Sequence, residues 1–303
     1  MNVGILDIDS HNFPNLALMK VSSYHKQKGD DVEWVNHFKQ YDKVYVSKTF
    51  GDEYSYYDNT IINAKEIVYG GTGFAINVVG GVEVYESSND QPLPYEIEHC
   101  CPDYELYPEY KNAIGFLTRG CPNNCPFCIV SKKEGRISQK VANLDEWYRG
   151  QSHIDLLDPN ILACKDRIEL LEQLKETNAR VNFEQGLDAR FLNKEVVDML
   201  ASMKIINYHF AFDLMENKDR IVKGLELFRS EIKQEAVCYV LTNYNTTHEE
   251  DIERIKILQS LDILPYVMVY RKSTAPKITR QMQRWCNNRF IYKSCPNFED
   301  YLR

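Results

Sequence analysis

The feature that most constrains this chain is a run of six strand-like segments, separated by helical segments, over residues 113–272. The strand-like segments read AIGFLT, HIDLLD, ARVNFEQ, NYHFAFD, AVCYVLT and LPYVMVYR. They are rich in β-branched and aromatic residues, whereas the stretches between them have apolar residues at helical spacing. Strands that alternate with helices form parallel sheets, either open or curved into a partly closed barrel. The sequence therefore predicts a parallel βα array with ligands at the carboxyl ends of its strands.

A smaller alternation precedes this array, over residues 1–95. It consists of a strand (NVGILDID), a helix that ends at Gly29, two further strands (DDVEWV and DKVYVSKTF) and a short helix passing into a strand (TIINAKEIVYGG). This order predicts a parallel sheet of Rossmann type. Residues 96–112 are rich in acids, prolines and tyrosines, and we expect them to be a linker. Residues 273–303 contain the helix-like run TRQMQRWCNNRF and predict a C-terminal helical extension.

The composition limits the cellular compartment and the classes of binding partner that we expect. Mean hydropathy is −0.46 and no long apolar run occurs, which excludes a membrane span. The first residues, MNVGILDIDSHNFPN, carry acids where a signal peptide needs positive charge, so we expect a cytoplasmic protein. The net charge of −8 offers no broad basic surface for nucleic acid, although the basic residues 271–284 could bind a small anionic group.

Three of the nine cysteines lie close together after the first strand of the array, as Cys121, Cys125 and Cys128 in the spacing C-x3-C-x2-C. The odd total and the scatter of the other six favour reduced thiols and a metal site over a disulfide framework. Thiolates suit zinc or iron–sulfur clusters. A 4Fe-4S cluster held by three cysteines leaves one iron without a protein ligand, where a small molecule can coordinate.

Zinc is the alternative for these cysteines. A structural zinc site normally has four protein ligands, and His99, Cys100 or Cys101 could supply the fourth in a zinc ribbon. We favour it less, because these residues precede the strand and the array behind the motif is far too long for a ribbon.

The stretch LTRGCPNNCPFC resembles the radical S-adenosylmethionine superfamily, whose hallmark is C-x3-C-x2-C with an aromatic residue directly before the third cysteine; Phe127 fills that place. The resemblance covers residues 113–272 and implies a partial (βα)6 barrel. It implies that the three cysteines ligate a 4Fe-4S cluster whose unique iron binds S-adenosylmethionine, and that one electron cleaves this cofactor to a 5′-deoxyadenosyl radical. It also implies a reducing partner such as a flavodoxin or ferredoxin, and a small-molecule or peptide substrate that the sequence does not identify.

If the resemblance holds, polar residues that follow the strands should hold S-adenosylmethionine. The second strand ends in LLDPN, which departs from the superfamily's usual Gly-Gly-Glu motif; Asp158 or Asn160 could accept a hydrogen bond from the methionine amino group. The third strand leads into FEQGLDAR. There we expect contacts to the ribose from Glu184, Gln185 and Asp188, and a pair between Arg190 and the carboxylate.

The next two strand ends give weaker candidates. The fourth strand ends at Asp213, and the fifth is followed by a polar run with Asn243 near its start. Thr246 or Thr247 is expected to cap the helix that follows. Thr242 and Asn245 are further candidates in this run. The alternative for every candidate after a strand is a solvated loop residue or a helix cap.

Residues 1–95 resemble the cobalamin-binding Rossmann-like domain that precedes the radical barrel in one large branch of the superfamily. Asp9 and His11 open the D-x-H-x-x-G pattern in which histidine ligates cobalt, but a proline stands where the pattern has glycine. The glycine-rich turn at Gly70, Gly71 and Gly73 would permit close backbone approach to a ligand. The resemblance implies cobalamin as a further cofactor, with a turn or interface role as the alternative for His11.

The sequence thus predicts a radical S-adenosylmethionine enzyme. Methyl transfer is expected if cobalamin binds, and hydrogen abstraction leading to rearrangement or epimerisation otherwise. One alternative is an iron–sulfur protein of the same fold with a sensor or scaffold role. Another is a radical methylthiotransferase, which we favour less because three further clustered cysteines and an RNA-binding barrel are missing. Cys286 and Cys295 are too few for an auxiliary cluster and are expected to be ordinary thiols.

Overall fold

The computed structural model describes residues 1–10, 13–52, 54, 55, 57, 62–79 and 82–302. The chain divides into two compact units. The first comprises residues 1–116, 123–136 and 141–154, and the second comprises residues 117–122, 137–140 and 155–303. The boundaries expected from the sequence, at residues 95, 112 and 272, do not coincide with this division and remain a prediction.

The first unit contains a four-stranded parallel sheet. Its strands are β1 (Asn2–Asp7), β2 (Asp31–Trp34), β3 (Tyr41–Ser47) and β4 (Ala64–Gly70), and helix α1 (Leu16–Gln27) connects β1 to β2. The strand order is β2-β1-β3-β4. The side chain of Asn15 caps α1 by accepting a hydrogen bond from the Leu18 N–H, and Gly29, with φ of +79°, follows the end of the helix. The predicted strands and helix are therefore confirmed here. The short helix expected before β4 starts at residues 60 and 61, outside the described residues, and Ile62 and Asn63 after them are not helical.

The other elements of the first unit are short. They are β5 (Ile76–Val79) and β6 (Val82–Tyr85), which form an antiparallel pair, α2 (Tyr95–Glu98), β7 (Ala113–Gly115) and α3 (Val130–Lys133). Residues 96–112, expected to be a linker, are bonded to the rest of the unit. Ser22 Oγ donates to Asp103 at 2.6 Å, and the Tyr104 hydroxyl donates to the Trp147 carbonyl oxygen at 2.8 Å. Such side-chain contacts hold a segment in place without leaving a periodic pattern in its sequence.

The second unit contains most of the alternating strands and helices. It begins with β8 (Thr118–Arg119) and β9 (Gln139–Lys140), an antiparallel pair. The strands that follow are β10 (His153–Leu156), whose first two residues belong to the first unit, β11 (Arg180–Phe183), β12 (Lys204–Ile205), β13 (Tyr208–Ala211), β14 (Ala236–Thr242) and β15 (Leu264–Val269). The helices are α4 (Arg167–Glu176), α5 (Lys194–Ala201), α6 (Lys218–Glu231), α7 (His248–Ser260), α8 (Lys277–Asn287), α9 (Arg289–Ser294) and α10 (Phe298–Tyr301).

These strands form two parallel groups. Strands β10, β11 and β12 lie side by side in one sheet, and β13, β14 and β15 lie in that order in another. The pairings β11–β12, β13–β14 and β14–β15 are parallel. The fold is therefore mixed α/β with parallel sheets, as predicted. Strand β12 escapes prediction because two residues are too short for a periodic signal.

One face of the β13–β15 sheet carries a hydrophobic core. Along β14 the residues alternate between buried and half-buried, and the buried set includes Cys238 and Val240. On β15, Val267 is fully buried in a cluster with Ile255 of α7 and Trp285 of α8. Burial of these apolar side chains fixes which residues point away from the core, because a strand presents alternate side chains to opposite faces. No helix in the described part of the chain is both long and apolar enough to cross a membrane.

The fully buried Arg254 on α7 holds two strand ends in place. Its guanidinium donates to the carbonyl oxygens of Phe212 at 2.6 Å and Leu241 at 2.8 Å, and it pairs with the carboxylate of Asp251. A buried charge is tolerated when it is paired and hydrogen-bonded, as the two terminal nitrogens of Arg254 are. Arg254 thus ties the carboxyl ends of β13 and β14 to one helix.

Candidate functional site

The cysteine motif follows β8 along the chain. Cys121 belongs to the second unit and follows β8, while Cys125 and Cys128 belong to the first. Gly120 precedes Cys121 with φ of +88°, a conformation that favours glycine and turns the chain out of the strand. The Cys128 N–H donates to the Cys125 carbonyl oxygen at 3.0 Å and closes a turn. All three cysteines are half-buried, as is Phe127.

The chemistry of the donor set fits an iron–sulfur cluster. All nine cysteines lie in the described part of the chain and none of them forms a disulfide; a cysteine ligates metal as the thiolate. Among the described residues, no group of three or more His, Cys, Asp or Glu side chains is arranged to hold a metal ion. The fit therefore rests on ligand type, on spacing and on the surroundings of Cys121.

Asn160 is the residue that links Cys121 to the strand ends. It follows β10 and is 4% exposed. Its Nδ2 lies 3.6 Å from the Cys121 Sγ and donates to the Asp188 Oδ2 at 2.8 Å. Its Oδ1 accepts from the Ala163 N–H and caps a 3-10 turn. The amide orientation is thus set by the cap, and its N–H groups are directed at a sulfur and a carboxylate.

The side chains of Asp188 and Arg190 form an ion pair. The Asp188 Oδ1 accepts from the Arg190 Nε at 2.8 Å, and the Asp188 Oδ2 accepts from an Arg190 terminal nitrogen at 3.0 Å. Such a bidentate pair is strong and geometrically specific. Asn160, which follows the second strand of the array, is therefore brought together with Asp188 and Arg190, which follow the third. The carboxylate that Arg190 contacts is that of Asp188.

Asp158 holds the chain that leads to Cys121. Its carboxylate accepts hydrogen bonds from the Leu117 N–H at 2.8 Å, the Thr118 N–H at 2.7 Å and the Thr118 hydroxyl at 2.6 Å. Burial raises the pKa of Asp158 to about 7, although these hydrogen bonds oppose the shift. Asp158 thus acts on β8 directly. Its expected contact with a methionine amino group stays a prediction.

Glu184 and Gln185 lie at the surface after β11 and remain accessible. The Asn182 amide donates to the Glu184 carboxylate. Partial burial and the neighbouring carboxyl group of Asp155 raise the pKa of Glu184. Neither residue lies in the network around Asn160 among the contacts of the described residues, so a ribose contact stays a prediction for both.

The remaining candidates contact neighbouring strand ends. The Asn243 Nδ2 donates to the Tyr270 carbonyl oxygen at 2.7 Å, from a backbone with φ of +61°. The Asp213 Oδ1 accepts from the Leu241 N–H at 3.0 Å, and burial raises the pKa of this carboxyl group. The Thr242 hydroxyl donates to the Met268 carbonyl oxygen at 3.2 Å. Asn245 is exposed. Each of these residues except Asn245 therefore supports the geometry of a strand end.

The prediction for the helix cap is confirmed. Thr247 caps α7 and forms a capping box with Glu250. The neighbouring Thr246 hydroxyl donates to the Asp251 carboxylate at 2.6 Å. This cap could be found from sequence because both of its residues lie within four positions of each other.

The glycine-rich turn of the first unit is filled by the chain itself. A Cβ on Gly71 would lie 2.2 Å from the Lys48 carbonyl oxygen, and one on Gly73 would lie 2.3 Å from the Phe50 carbonyl oxygen. Gly71 and Gly73 therefore permit close approach of the segment after β3, not of a ligand as expected. Gly70 faces open space.

Asp9 has a structural role in the same loop. Its buried carboxylate accepts from the Thr49 N–H and the Phe50 N–H, both at 2.8 Å. Asp9 therefore holds the backbone that follows β3. His11, considered as a cobalt ligand, lies outside the described residues.

Sequence reasoning singled out only Glu184 from a row of polar and aromatic side chains along the strands of the second unit. It runs from Asp155 on β10 and Glu184 after β11 to His209 on β13, Tyr239 on β14 and Tyr266 on β15, and we call it the inner row. The signal was present as a period of two, because His209, Tyr239 and Tyr266 alternate with buried residues along their strands.

No family model and no curated protein sequence matches the chain. Solved structures of SuiB from Streptococcus suis are similar to part of it. The structure of SuiB bound to S-adenosylmethionine matches with a TM-score of 0.43 and 15% identity, covering 60% of this chain and 47% of SuiB. The structure bound to the precursor peptide SuiA matches with a TM-score of 0.43 and 14% identity, covering 70% and 54%. The chain spans about half the length of these structures, and similarity at this level assigns no function.

Proposed function

We propose that this protein is a radical S-adenosylmethionine enzyme that binds a 4Fe-4S cluster through Cys121, Cys125 and Cys128. The observation that carries the proposal is the C-x3-C-x2-C motif with Phe127 before its third cysteine, placed directly after β8 and followed by parallel strands and helices. The hydrogen bond from the Asn160 amide to the Cys121 sulfur supports it, because N–H groups directed at sulfur are a normal feature around cluster thiolates.

The described residues have clear tasks in this proposal. When bound, the cluster would supply the electron that cleaves S-adenosylmethionine to a 5′-deoxyadenosyl radical. Asp158 positions β8 ahead of the motif, and Asp188 orients the Asn160 amide toward Cys121. We assign Glu184 and Gln185 to the ribose of S-adenosylmethionine, because they remain accessible after β11. We assign Arg190 a positioning role, because its guanidinium pairs with Asp188.

We also propose the finer architecture that the motif implies. The strands from β7 to β15 would form a partial (βα)6 barrel, and the parallel sheet of the first unit, with its order β2-β1-β3-β4, would be a Rossmann-like domain. We do not include cobalamin, because the only glycine turn expected to receive it is packed against Lys48 and Phe50 in the described part of the chain.

The test is anaerobic reconstitution with iron and sulfide, followed by reduction in the presence of S-adenosylmethionine. We expect about four irons per chain, absorbance typical of an iron–sulfur cluster, and formation of 5′-deoxyadenosine. Cys125→Ala should lose both the cluster and the product. The matched control is Cys295→Ala, which removes a half-buried thiol outside the motif and should retain both.

A different result would favour other functions. Zinc in place of iron would contradict the cluster. A stable cluster with no 5′-deoxyadenosine above the level of Cys125→Ala would favour a sensor or scaffold role, the second candidate. That candidate is supported by Asp158, whose carboxylate is engaged by Leu117 and Thr118 where the superfamily has a Gly-Gly-Glu motif.

A further inference from the structure

The helix that follows the cysteine motif is tied back onto the motif. Helix α3 begins two residues after Cys128. The Ser131 hydroxyl donates to the Asn124 Oδ1 at 3.1 Å, and Asn124 lies between the first two cysteines with φ of +43°. Together with the turn that ends at Cys128, this contact closes residues 124–131 into one loop, which we call the cysteine loop.

Lys133, the last residue of α3, contacts two other segments of the first unit. Its ammonium pairs with the Asp90 carboxylate, at 3.0 Å between Nζ and Oδ2, and donates a hydrogen bond to the Thr72 hydroxyl. The Lys133 side chain is 24% exposed and that of Asp90 is 12% exposed. An ion pair that is partly withdrawn from water and belongs to a network contributes more than an isolated pair at the surface.

The Asp90 carboxylate is held by the segment that ends the β5–β6 pair. Tyr85, the last residue of β6, donates from its hydroxyl to the Asp90 Oδ2 at 2.8 Å. Burial and this contact raise the pKa of Tyr85 to about 12, so the phenol keeps its proton near neutral pH. One oxygen of Asp90 therefore accepts from a neutral hydroxyl and pairs with the Lys133 ammonium.

The Thr72 hydroxyl lies on a turn that the parallel sheet supports. Thr72 begins a 3-10 turn two residues after the end of β4. The Gly73 N–H donates to the carbonyl oxygen of Lys48, the residue that follows β3, at 2.9 Å. The packing is tight, because a Cβ on Gly71 or Gly73 would collide with the backbone after β3. The carboxyl ends of β3 and β4 therefore fix the position of the turn that Lys133 contacts.

We propose that Lys133 is a positioning residue for the 4Fe-4S cluster, and that the first unit holds the cysteine loop through it. The contacts with Thr72 and Asp90 fix the end of α3, and α3 fixes the loop that carries Cys125 and Cys128. Ligands that are already ordered cost less conformational entropy on binding and are harder to displace. The inference rests on the proposed function. It gives the carboxyl end of the parallel sheet a structural task where a cobalamin contact was expected.

Compensation of the helix dipole does not account for Lys133. A basic residue in the last turn of a helix is stabilising for that reason alone, but α3 has only four residues. Lys132 lies in the same turn and is exposed. Of these two lysines, only Lys133 reaches Thr72, 61 positions earlier in the chain, among the contacts of the described residues. The two lysines therefore form a matched pair for experiment.

The first measurement is amide hydrogen exchange of residues 123–136 in the full chain without a cluster. In Lys133→Met we expect exchange in this segment to be about five- to tenfold faster, because a charge-assisted contact to two other segments is lost. Lys132→Met should exchange as the natural protein does. Lys133→Arg retains the charge and should recover part of the protection. Unchanged exchange in Lys133→Met would overturn the proposal.

The second measurement is the rate at which an iron chelator removes the reconstituted cluster. Lys133→Met should lose its iron about fivefold faster than the natural protein, and Lys132→Met should lose it at the natural rate. A role in folding alone would leave the rate of iron loss unchanged. Faster exchange with unchanged iron loss would thus show that the contact orders the loop without positioning the cluster, and would overturn the assignment.

The remaining outcomes separate this inference from the proposed function. If the natural protein retains no iron, the proposed function fails and the positioning role fails with it. If it retains iron and Lys133→Met matches it in both measurements, only the positioning role fails. Circular dichroism establishes that each variant is folded. Asp90→Asn weakens the same ion pair from its other side and replaces Lys133→Met if that variant does not fold.

Discussion

The Nδ2 atom of Asn160 lies 3.6 Å from the Sγ atom of Cys121. The same amide is fixed at both ends, by Asp188 on its nitrogen and by the cap to Ala163 on its oxygen. A donor held in this way adds a fixed dipole beside a sulfur without any cost of orientation when charge on that sulfur increases.

We predict that Asn160→Ala lowers the reduction potential of the reconstituted protein. An N–H group directed at a cluster thiolate stabilises the reduced form, which carries more negative charge, and its loss favours the oxidised form. The measurement is a redox titration monitored by electron paramagnetic resonance. Asn193→Ala removes a comparable cap on α5, so it should cost about 1 kcal/mol of stability without moving the potential. Equal potentials in the two variants would argue against a contact between Asn160 and a ligating sulfur.

Arg254→Met should be among the most destabilising substitutions in the second unit. It leaves the buried Asp251 carboxylate without its charged partner and removes the donor to the Phe212 and Leu241 carbonyl oxygens. Breaking a buried pair in this way costs about 3 to 5 kcal/mol. Urea unfolding would measure the loss.

The control for Arg254 is Arg229→Met. Arg229 donates to the carbonyl oxygens of Leu261 and Asp262 in more exposed surroundings, and its loss should be smaller. The double substitution Arg254→Met with Asp251→Leu should recover part of the stability, because no unpaired charge remains. No recovery would show that the contacts to the carbonyl oxygens dominate.

Asp158 should make the stability depend on pH. The pKa of this carboxyl group is raised to about 7 by burial, whereas an aspartate in an unfolded chain titrates near 3.9. The folded state therefore holds the proton more tightly, and the stability that this group contributes is complete below about pH 4 and is lost as pH rises through about 7.

The measurement is the free energy of unfolding of the natural protein and of Asp158→Asn, between about pH 4.5 and about pH 7. This range lies between the pKa of the unfolded chain and that of the folded protein. The difference between the two should change by up to about 1.4 kcal/mol per pH unit, the value for one proton. A constant difference across the window would mean that Asp158 stays ionised in the folded protein.

Gly71→Ala should destabilise the first unit through both backbone strain and a steric clash. The backbone has φ of +94°, and the new Cβ would lie 2.2 Å from the Lys48 carbonyl oxygen. We expect a loss of about 2 to 4 kcal/mol. Gly29→Ala has φ of +79° and open space around its Cβ, so it should lose only about 1 kcal/mol from backbone strain. Thermal unfolding of both variants separates the two causes, and similar losses would show that the segment at Lys48 moves aside.

Local signals predicted much of the fold. The apolar period of β14 and the capping box of Thr247 and Glu250 each lie within a few residues, so the sequence carries their whole pattern. The cysteine motif is local in the same sense. Strand β12, with two residues, is too short for such a signal.

The contacts of the candidate site could not be predicted in the same way. Asp188 was expected to contact a ribose, and its hydrogen bond with Asn160 depends on how two loops meet in space. For Gly71, the sequence indicates a permissive backbone but not which atoms fill the space beside it. Polar partners of this kind follow from tertiary structure, and single-residue patterns do not encode them.

The in-register pairing of Tyr239 with Tyr266 limits how this chain can vary. A shift of β14 by one residue would place the Tyr239 ring in the hydrophobic core and bring Cys238 to the exposed face. Insertions and deletions near this strand must therefore be absorbed by the turn at residues 232–235 before it. The contacts on its two faces fix the register of β14, so changes in chain length are tolerated only in the turn outside the strand.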